Sequence, residues 1–262
     1  MPNGTIRDIY RYPVKGLSPE RLARTGLKVG ATLPADRRYA IENGPSGFDP
    51  AAPSYLAKTY FLMLMKNEAL ARLDTRYDDA SHVLTVRHEG QEVARGDLGT
   101  PEGRKAIEDF FATYSADDLR GTPKLLQAQG HSFSDVAKKV VSIINLASVA
   151  AIETAVGAPV NPLRFRANLY VEGWPAWAEF DLLGEEIAIG RDARLKVVKR
   201  IVRCAATNVD PDTGIRDLAI PKSLMQTFGH ADCGIYAEVT TAGDIAVGDT
   251  IAPVQARAAL GV

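Results

Sequence analysis

The feature that most restricts this chain is the spacing of its turns. Gly, Pro, Asn and Asp clusters cut the apolar stretches into runs too short for a helical bundle. The first such runs are "TIRDIYRY" (5–12), "RLARTGLKV" (21–29) and "DRRYAIEN" (36–43), each read as a strand. A loop, "GPSGFDPAAPS" (44–54), follows, and then "YFLMLMKNEALARL" (60–73), whose dense apolar residues fit a helix or a buried strand equally. "RLDTRYD", "HVLTVRH" and "QEVARGD" form a three-stranded meander. Thr100 then caps a helix that begins at Pro101 and runs through "EGRKAIEDFFATY".

The second half has the same texture. "KKVVSIIN", "RFRANLYVEG", "EEIAIG" and "ARLKVVKRIVRC" read as strands, and "LASVAAIETAV" as a short helix ended by Gly157. "PKSLMQTF" reads as a further helix, and "GIYAEVTTAGDIAVGDTIAP" as a closing hairpin with turns at Gly243 and Gly248. Many short, turn-punctuated strands with few helices predict a β-rich α+β fold built on a barrel or sandwich. A domain boundary is expected between residues 115 and 135, giving domains 1–120 and 121–262.

Composition narrows the function classes. The formal net charge of the 262 residues is -1, from 31 basic and 32 acidic side chains. That balance argues against a nucleic-acid or membrane-surface binder, yet permits a local basic pocket for a small anion. The start of the chain shows no signal-peptide pattern. The most apolar stretch, 140–160, carries Asn145, Glu153 and several hydroxyls, too polar for a membrane span. With two cysteines only, the expected setting is a reducing cytoplasm with free thiols, and a cluster needing four Cys ligands cannot be built.

Chemistry concentrates in "RCAATNVDPDTGIRD" (203–217). "DPDTG" is a turn, with Pro211 and Asp212 central. It fails as an EF-hand loop: starting at Asn208, the glycine comes one place late and Ala219 stands where a bidentate Glu is required. Cys204 by itself reads as a small buried hydrophobe as readily as a reactive thiol. Zinc would have to be held by Cys204, His230 and Cys233 alone, fewer than a structural site takes.

This stretch resembles the signature of the MOSC domain, the type found at the C-terminus of molybdenum-cofactor sulfurases and in amidoxime-reducing proteins. "IYRYPVKGLSPE", "ADRRYAIEN", "NPLRFRANLYVEG" and the closing "GIYAEVTTAGDIAVGDTI" are similar to further elements of that family, in the same order along the chain. The resemblance implies a MOSC β-barrel packed with an N-terminal MOSC-associated β-barrel-like domain, the cofactor lying between them.

It further implies a molybdenum cofactor, a molybdopterin whose dithiolene holds Mo and whose far end carries a phosphate. Cys204 matches the metal-ligating cysteine, and a soft thiolate suits that metal. Lys15, Arg37, Arg166 and Asn168 match cofactor contacts, of the kind a phosphate takes. Asp210 matches a position that orients groups near the metal, with turn capping as its alternative. Tyr236 falls near the cofactor or in the core, and Asn145 contacts it or caps a helix. Val202 and Arg38 depart from the amidoxime-reducing relatives, which carry a small hydroxyl and a bulky apolar or aromatic residue there.

The implied activity is reduction of small N-hydroxylated compounds, with electrons from a separate ferredoxin- or cytochrome-like donor and its reductase, and without nucleic acid or membrane. Two other readings stand beside it: a sulfur carrier with a persulfide on Cys204, and an anion-binding module without redox chemistry.

Overall fold

A computed structural model of the chain describes residues 2–254. Met1 and 255–262, the outer ends of the two expected domains, lie outside the described residues. In chain order the strands and helices are β1 (Gly4–Arg11), β2 (Glu20–Leu22), β3 (Arg24–Leu27), β4 (Ala40–Glu42), β5 (Leu73–Tyr77), β6 (Val83–His88), β7 (Gln91–Asp97), α1 (Pro101–Tyr114), β8 (Lys124–Leu126) and β9 (Val141–Asn145). They continue with α2 (Leu146–Val156), β10 (Leu169–Glu172), β11 (Glu186–Ile189), β12 (Ala193–Val202), α3 (Ile220–Phe228), β13 (Asp232–Thr241), β14 (Gly243–Ala246) and β15 (Thr250–Pro253). The fold is thus β-rich α+β, as expected.

Seven strands close a barrel in the order β10-β9-β13-β12-β11-β15-β1, because β1 also pairs back onto β10. Closure gives each of these seven strands a partner on both sides, with β2 added along β1 outside the ring. Along the walls alternate residues point inward, and Ile6, Ile9, Ile143, Leu169, Val171, Ile187, Leu195, Val197, Ile235 and Ile251 fill the interior, all fully buried. Each such side chain stabilises the fold by ~1.5–3 kcal/mol relative to leaving it in water.

Strand β9 is buried on both faces. Ile143 enters the barrel, while Ile144 faces a second apolar layer with Val149 and Ile152 of α2, Ile220 and Leu224 of α3, and Cys233. That double burial explains the unbroken apolar run in "VVSIIN". It is also the barrel's parallel pairing, with β10, and α2 lies in the crossover that a parallel pair requires. Asn145 caps α2 by accepting from the Ala147 N–H at 3.1 Å, and Gly157 ends it in the left-handed conformation at φ 70°.

The N-terminal half builds its own core around the β5–β6–β7 meander and α1, with Leu73, Tyr77, Leu84, Val86, Ile107 and Phe111 packed against Val14, Tyr39 and Leu62. Thr100 caps α1 as expected, accepting from the Gly103 N–H. Strands β1 and β2, although N-terminal in sequence, belong to the main barrel sheet.

Four expectations are corrected. The closing segment is no hairpin: β13 pairs with β12 and β9, β14 with β3, and β15 with β11 and β1. Its two turns send successive strands to different partners instead of folding them on each other. "RLARTGLKV" is two short strands, β2 on the barrel and β3 on β14. In "DRRYAIEN" and "RFRANLYVEG" the strands begin only at Ala40 and Leu169, because Arg37 and Arg166 both take left-handed backbone at φ 50°. The ambiguous 60–73 stretch is neither one helix nor one strand: Tyr60 ends a 3-10 segment, Phe61 bridges Glu42, a turn at 64–66 leads into a second 3-10 segment, Glu68–Arg72, and Leu73 opens β5.

Candidate functional site

The segment after Tyr12 is zipped to residues 36–39. The Tyr12 N–H donates to Asp36 Oδ1 at 2.8 Å, Arg37 N–H to the Tyr12 carbonyl at 2.7 Å, Tyr39 N–H to Pro13 at 3.0 Å and Lys15 N–H to Tyr39 at 2.8 Å. Two elements well separated in sequence therefore present Lys15 and Arg37 together. On the barrel side, Asn168 Oδ1 accepts from the Ser142 N–H and hydroxyl at 3.0 and 2.9 Å, and its Nδ2 donates to the Tyr10 carbonyl at 3.1 Å. That amide ties β9, the start of β10 and β1 at one point and carries Arg166 beside them.

Between these parts lies a cavity of about 260 Å³. Its wall includes Lys15, Arg37, Arg166, Asn168, Cys204 and Tyr236, six of the eight residues expected from the sequence, drawn from five separate segments. The other two are not on it. Asn145, fully buried, spends its side chain on the α2 cap, the Pro175 carbonyl at 2.7 Å and Glu179 at 2.9 Å. Asp210 caps its turn: Oδ1 accepts from the Asp212 and Thr213 N–H groups and the Thr213 hydroxyl, and Oδ2 pairs with Arg164 at 2.9 Å. The turn reading, not the metal-side reading, describes the contacts of Asp210.

Sequence reasoning missed several lining groups. Lys58, Asp135, Ser142, Arg164, Lys199, Arg200 and Arg203 all contribute. Arg203 and Arg164 stand inside the quoted "RCAATNVD" and "NPLRFRAN" stretches and were within reach. Lys58 and Asp135 lie in aperiodic loop sequence that carries no signal.

The cavity is strongly cationic. Eight Lys or Arg side chains line it against two carboxylates, Asp36 and Asp135, in a chain whose net charge is -1. Asp36 is consumed by a bidentate pair with Arg37 NH1 at 2.7 and 2.6 Å. Asp135 pairs with the buried Lys15 ammonium, which also donates to the Phe133 carbonyl at 2.9 Å. Burial depresses the Lys15 pKa even though Asp135 opposes it. Arg166 has no carboxylate partner among the described residues; it donates to the Leu17 carbonyl at 2.7 Å. Desolvation, with Arg37 adding repulsion, pulls its guanidinium down to about 10. An uncompensated cation of this kind is stabilised by any anion that enters.

Asp135 offers a direct check. Its side chain is still 48% exposed, so the partial burial that would raise its pKa is outweighed by Lys15, Lys58 and Arg37, which hold it at about 2. The folded value lies below the unfolded one, about 3.9, so the stabilisation is present above pH ~4 and disappears as pH falls toward 2. In Asp135→Asn, the fall of melting temperature between pH 4 and pH 2 is expected to be shallower than in wild type. Parallel melting curves in that window would refute the coupling.

Cys204 lies two residues past the end of β12, half-buried and free, where the chain turns into the 3-10 segment Ala205–Asn208. Its carbonyl, not its thiol, anchors that turn, accepting from the Thr207 N–H at 3.0 Å and hydroxyl at 2.9 Å. Beside it, Arg203 donates to the carbonyls of Cys233 and Phe165. Lys58 faces the same wall; burial disfavours its charge, but Asp135, Cys204 and Tyr236 outweigh that and raise its pKa. Cys233 is the buried filler of the pair, with its thiol pushed up to about 12 by burial.

Among the described residues no group of three His, Cys, Asp or Glu is arranged to hold a metal. A metal bound through the Cys204 thiolate would therefore have to bring most of its other ligands with it, which a dithiolene-bearing pterin does. The donor set fits that cofactor: one soft thiol on the wall, and a cationic lining for an anionic end. Val202 lines the cavity and is 66% exposed at its rim, whereas Arg38 is absent from the lining and lies over the Tyr39 ring. Of the two departures from the resemblance, only Val202 lies on the cavity wall.

Comparison with known proteins agrees with this layout. The MOSC domain matches residues 127–252, and the MOSC N-terminal beta barrel domain matches residues 3–121. Mitochondrial amidoxime-reducing component 1 of Mus musculus is 30% identical over 95% of this chain and 82% of that protein. The protein of the same name from Xenopus laevis is 28% identical over 66% of this chain and 56% of its own length. Among solved structures, the YUAD protein of Bacillus subtilis covers 95% of this chain and 94% of its own at 13% identity and a TM-score of 0.46. No helix among the described residues is long and apolar enough to cross a membrane.

Proposed function

The chain belongs to the MOSC family, and from that premise we propose that it is a molybdenum-cofactor enzyme that reduces small N-hydroxylated compounds. The observation that carries the reading is the cavity itself, where a free thiol and a half-buried arginine with no carboxylate partner among the described residues share one cationic wall. When bound, the cofactor supplies the two-electron chemistry that removes oxygen from an N–OH group.

The protein's residues supply everything around that step. Lys15, Arg37 and Arg166 take the anionic end of the cofactor, a task for fixed cations and bidentate donors. Cys204 provides the thiolate for the metal. The lifted Lys58 pKa keeps its Nζ protonated, so an ammonium stands beside the sulfur and screens negative charge there. Tyr236, its pKa raised by burial, stays a neutral phenol at the wall. Arg203 and Thr207 hold the strand end and turn that carry Cys204, and thus its direction. Electrons must come from a separate ferredoxin- or cytochrome-like donor with its reductase, since two cysteines cannot hold a cluster of the four-Cys type.

The half-exposed position of Cys204 also favours a second reading, transfer of sulfur as a Cys204 persulfide. Two measurements separate the readings. Protein from a cofactor-competent host should contain molybdenum and pterin at about one per chain and reduce an aryl amidoxime with a reduced viologen dye as donor. Absence of both metal and pterin, together with a gain of about 32 Da on Cys204 after treatment with a cysteine desulfurase, would replace it with the carrier.

A further inference from the structure

The two arginines assigned to the anionic end are held by one aromatic ring. The guanidinium carbons of Arg37 and Arg166 each lie 4.3 Å from the centroid of Tyr12. Tyr12 is fully buried, is absent from the cavity wall, and its hydroxyl has no hydrogen-bond partner. A phenol with an unused hydroxyl in the interior carries a desolvation cost that a phenylalanine would not. The arrangement is also over-determined. Both arginines occupy left-handed backbone at φ 50°, a conformation that costs a non-glycine residue energy. Each guanidinium is then fixed from outside its own element, Arg37 NH2 on the Arg166 carbonyl at 2.7 Å and Arg166 NH2 on the Leu17 carbonyl at 2.7 Å.

Two like charges that repel each other are thus brought to a common ring face-on, where the π-electrons offset the repulsion. We propose that Tyr12 is a positioning residue that locks Arg37 and Arg166 into a preformed receptor for a phosphate-class anion. The inference rests on the proposed anionic-end role of those arginines and adds the element that pre-organises them. Pre-organisation matters because a guanidinium that must be ordered at the moment of binding spends affinity on its own rotamer entropy.

The test uses cofactor-free full-length protein and inorganic pyrophosphate, titrated by calorimetry at low salt. Tyr12→Leu removes the ring and is expected to weaken pyrophosphate about tenfold. Tyr12→Phe reinstates the ring alone and is expected to rescue affinity to within about twofold. Ile235→Ala, in the barrel interior away from the cavity, controls for destabilisation and should lower melting temperature without changing affinity. Should Tyr12→Leu fail to fold, Tyr12→Met takes its place.

Equal pyrophosphate affinity in wild type and the ring-less variant overturns the proposal and leaves the arginine assignment standing. An equal loss in Tyr12→Phe also overturns it, since the hydroxyl would then be the active part. Wild type that does not bind pyrophosphate at all overturns both the proposal and the anionic-end reading.

Discussion

Replacing Cys204 by serine is expected to leave the protein folded and to abolish its molybdenum content. The structural side follows from the contacts. The side chain makes none that the turn depends on, because Thr207 is anchored by the Cys204 carbonyl, and the residue is only half-buried. A hydroxyl of nearly the same size therefore fits, and the melting temperature should move by no more than about 2 °C. The chemical side is one of donor type: a serine hydroxyl is a hard, protonated oxygen, whereas a thiolate is a soft anion matched to a sulfur-held metal. Molybdenum measured by elemental analysis should fall from about one per chain to below about a tenth. Pyrophosphate affinity should persist, since Lys15, Arg37 and Arg166 are untouched. A Cys204→Ser protein that retains full metal would remove Cys204 from its assigned role, whatever the activity does.

That separation into a soft end and a cationic end was partly legible in the sequence, and the reason it was only partly so is physical. Cys204, Lys15, Arg37, Arg166, Asn168 and Tyr236 could be picked out by their resemblance to family elements, and they do share one wall. Their convergence depends on Tyr12 meeting residues 36–39 and on Asn168 tying three strands, contacts between segments far apart in the chain. No local pattern encodes those. The left-handed backbone of Arg37 and Arg166 was equally hidden, because glycine and asparagine announce such positions and arginine does not. Asp210 and Asn145 show the opposite case: their local capping chemistry was readable, and it accounts for their contacts without any role on the cavity wall.

The fold shows the same division. The turn-punctuated runs that become β12 and β13 are visible in the sequence, and both strands lie within them. What those runs do not carry is the choice of partner. The "TAGDIAVGDTI" turns look like hairpin turns, yet the edges offered by β3, β11 and β1 complete a closed barrel and a side ribbon, and those pairings win. Residues 60–73 misled for a different reason. Phe61, Leu62, Met63 and Leu64 are all buried, so the segment is apolar on every side and has no period to read.

A large loss of stability is expected from Arg164→Ala, a residue the sequence did not mark. Its side chain is 1% exposed, and its fork spans the loop after Cys204. NH1 and NH2 donate to the two Asp217 oxygens at 2.8 and 2.7 Å, NH2 also to Asp210 at 2.9 Å, and NH1 to the Asn208 carbonyl at 3.2 Å. Removing it strands two carboxylates beside each other and leaves a void where the stem packed. A fully buried pair broken this way costs about 3–5 kcal/mol. The Asp217 side chain is 43% exposed and water can resolvate it, so the expected loss is about 2–3 kcal/mol, read from urea unfolding. Lysine should not recover it, because a single ammonium cannot meet the two Asp217 oxygens in a planar fork. Since the same fork fixes the turn that follows Cys204, the loosened loop should also make that thiol alkylate faster in Arg164→Ala than in wild type. A loss below about 1 kcal/mol with unchanged alkylation would mean that the Cys204 loop is held by Arg216, which reaches the Ala205, Leu64 and Met65 carbonyls and Glu68, and not by Arg164.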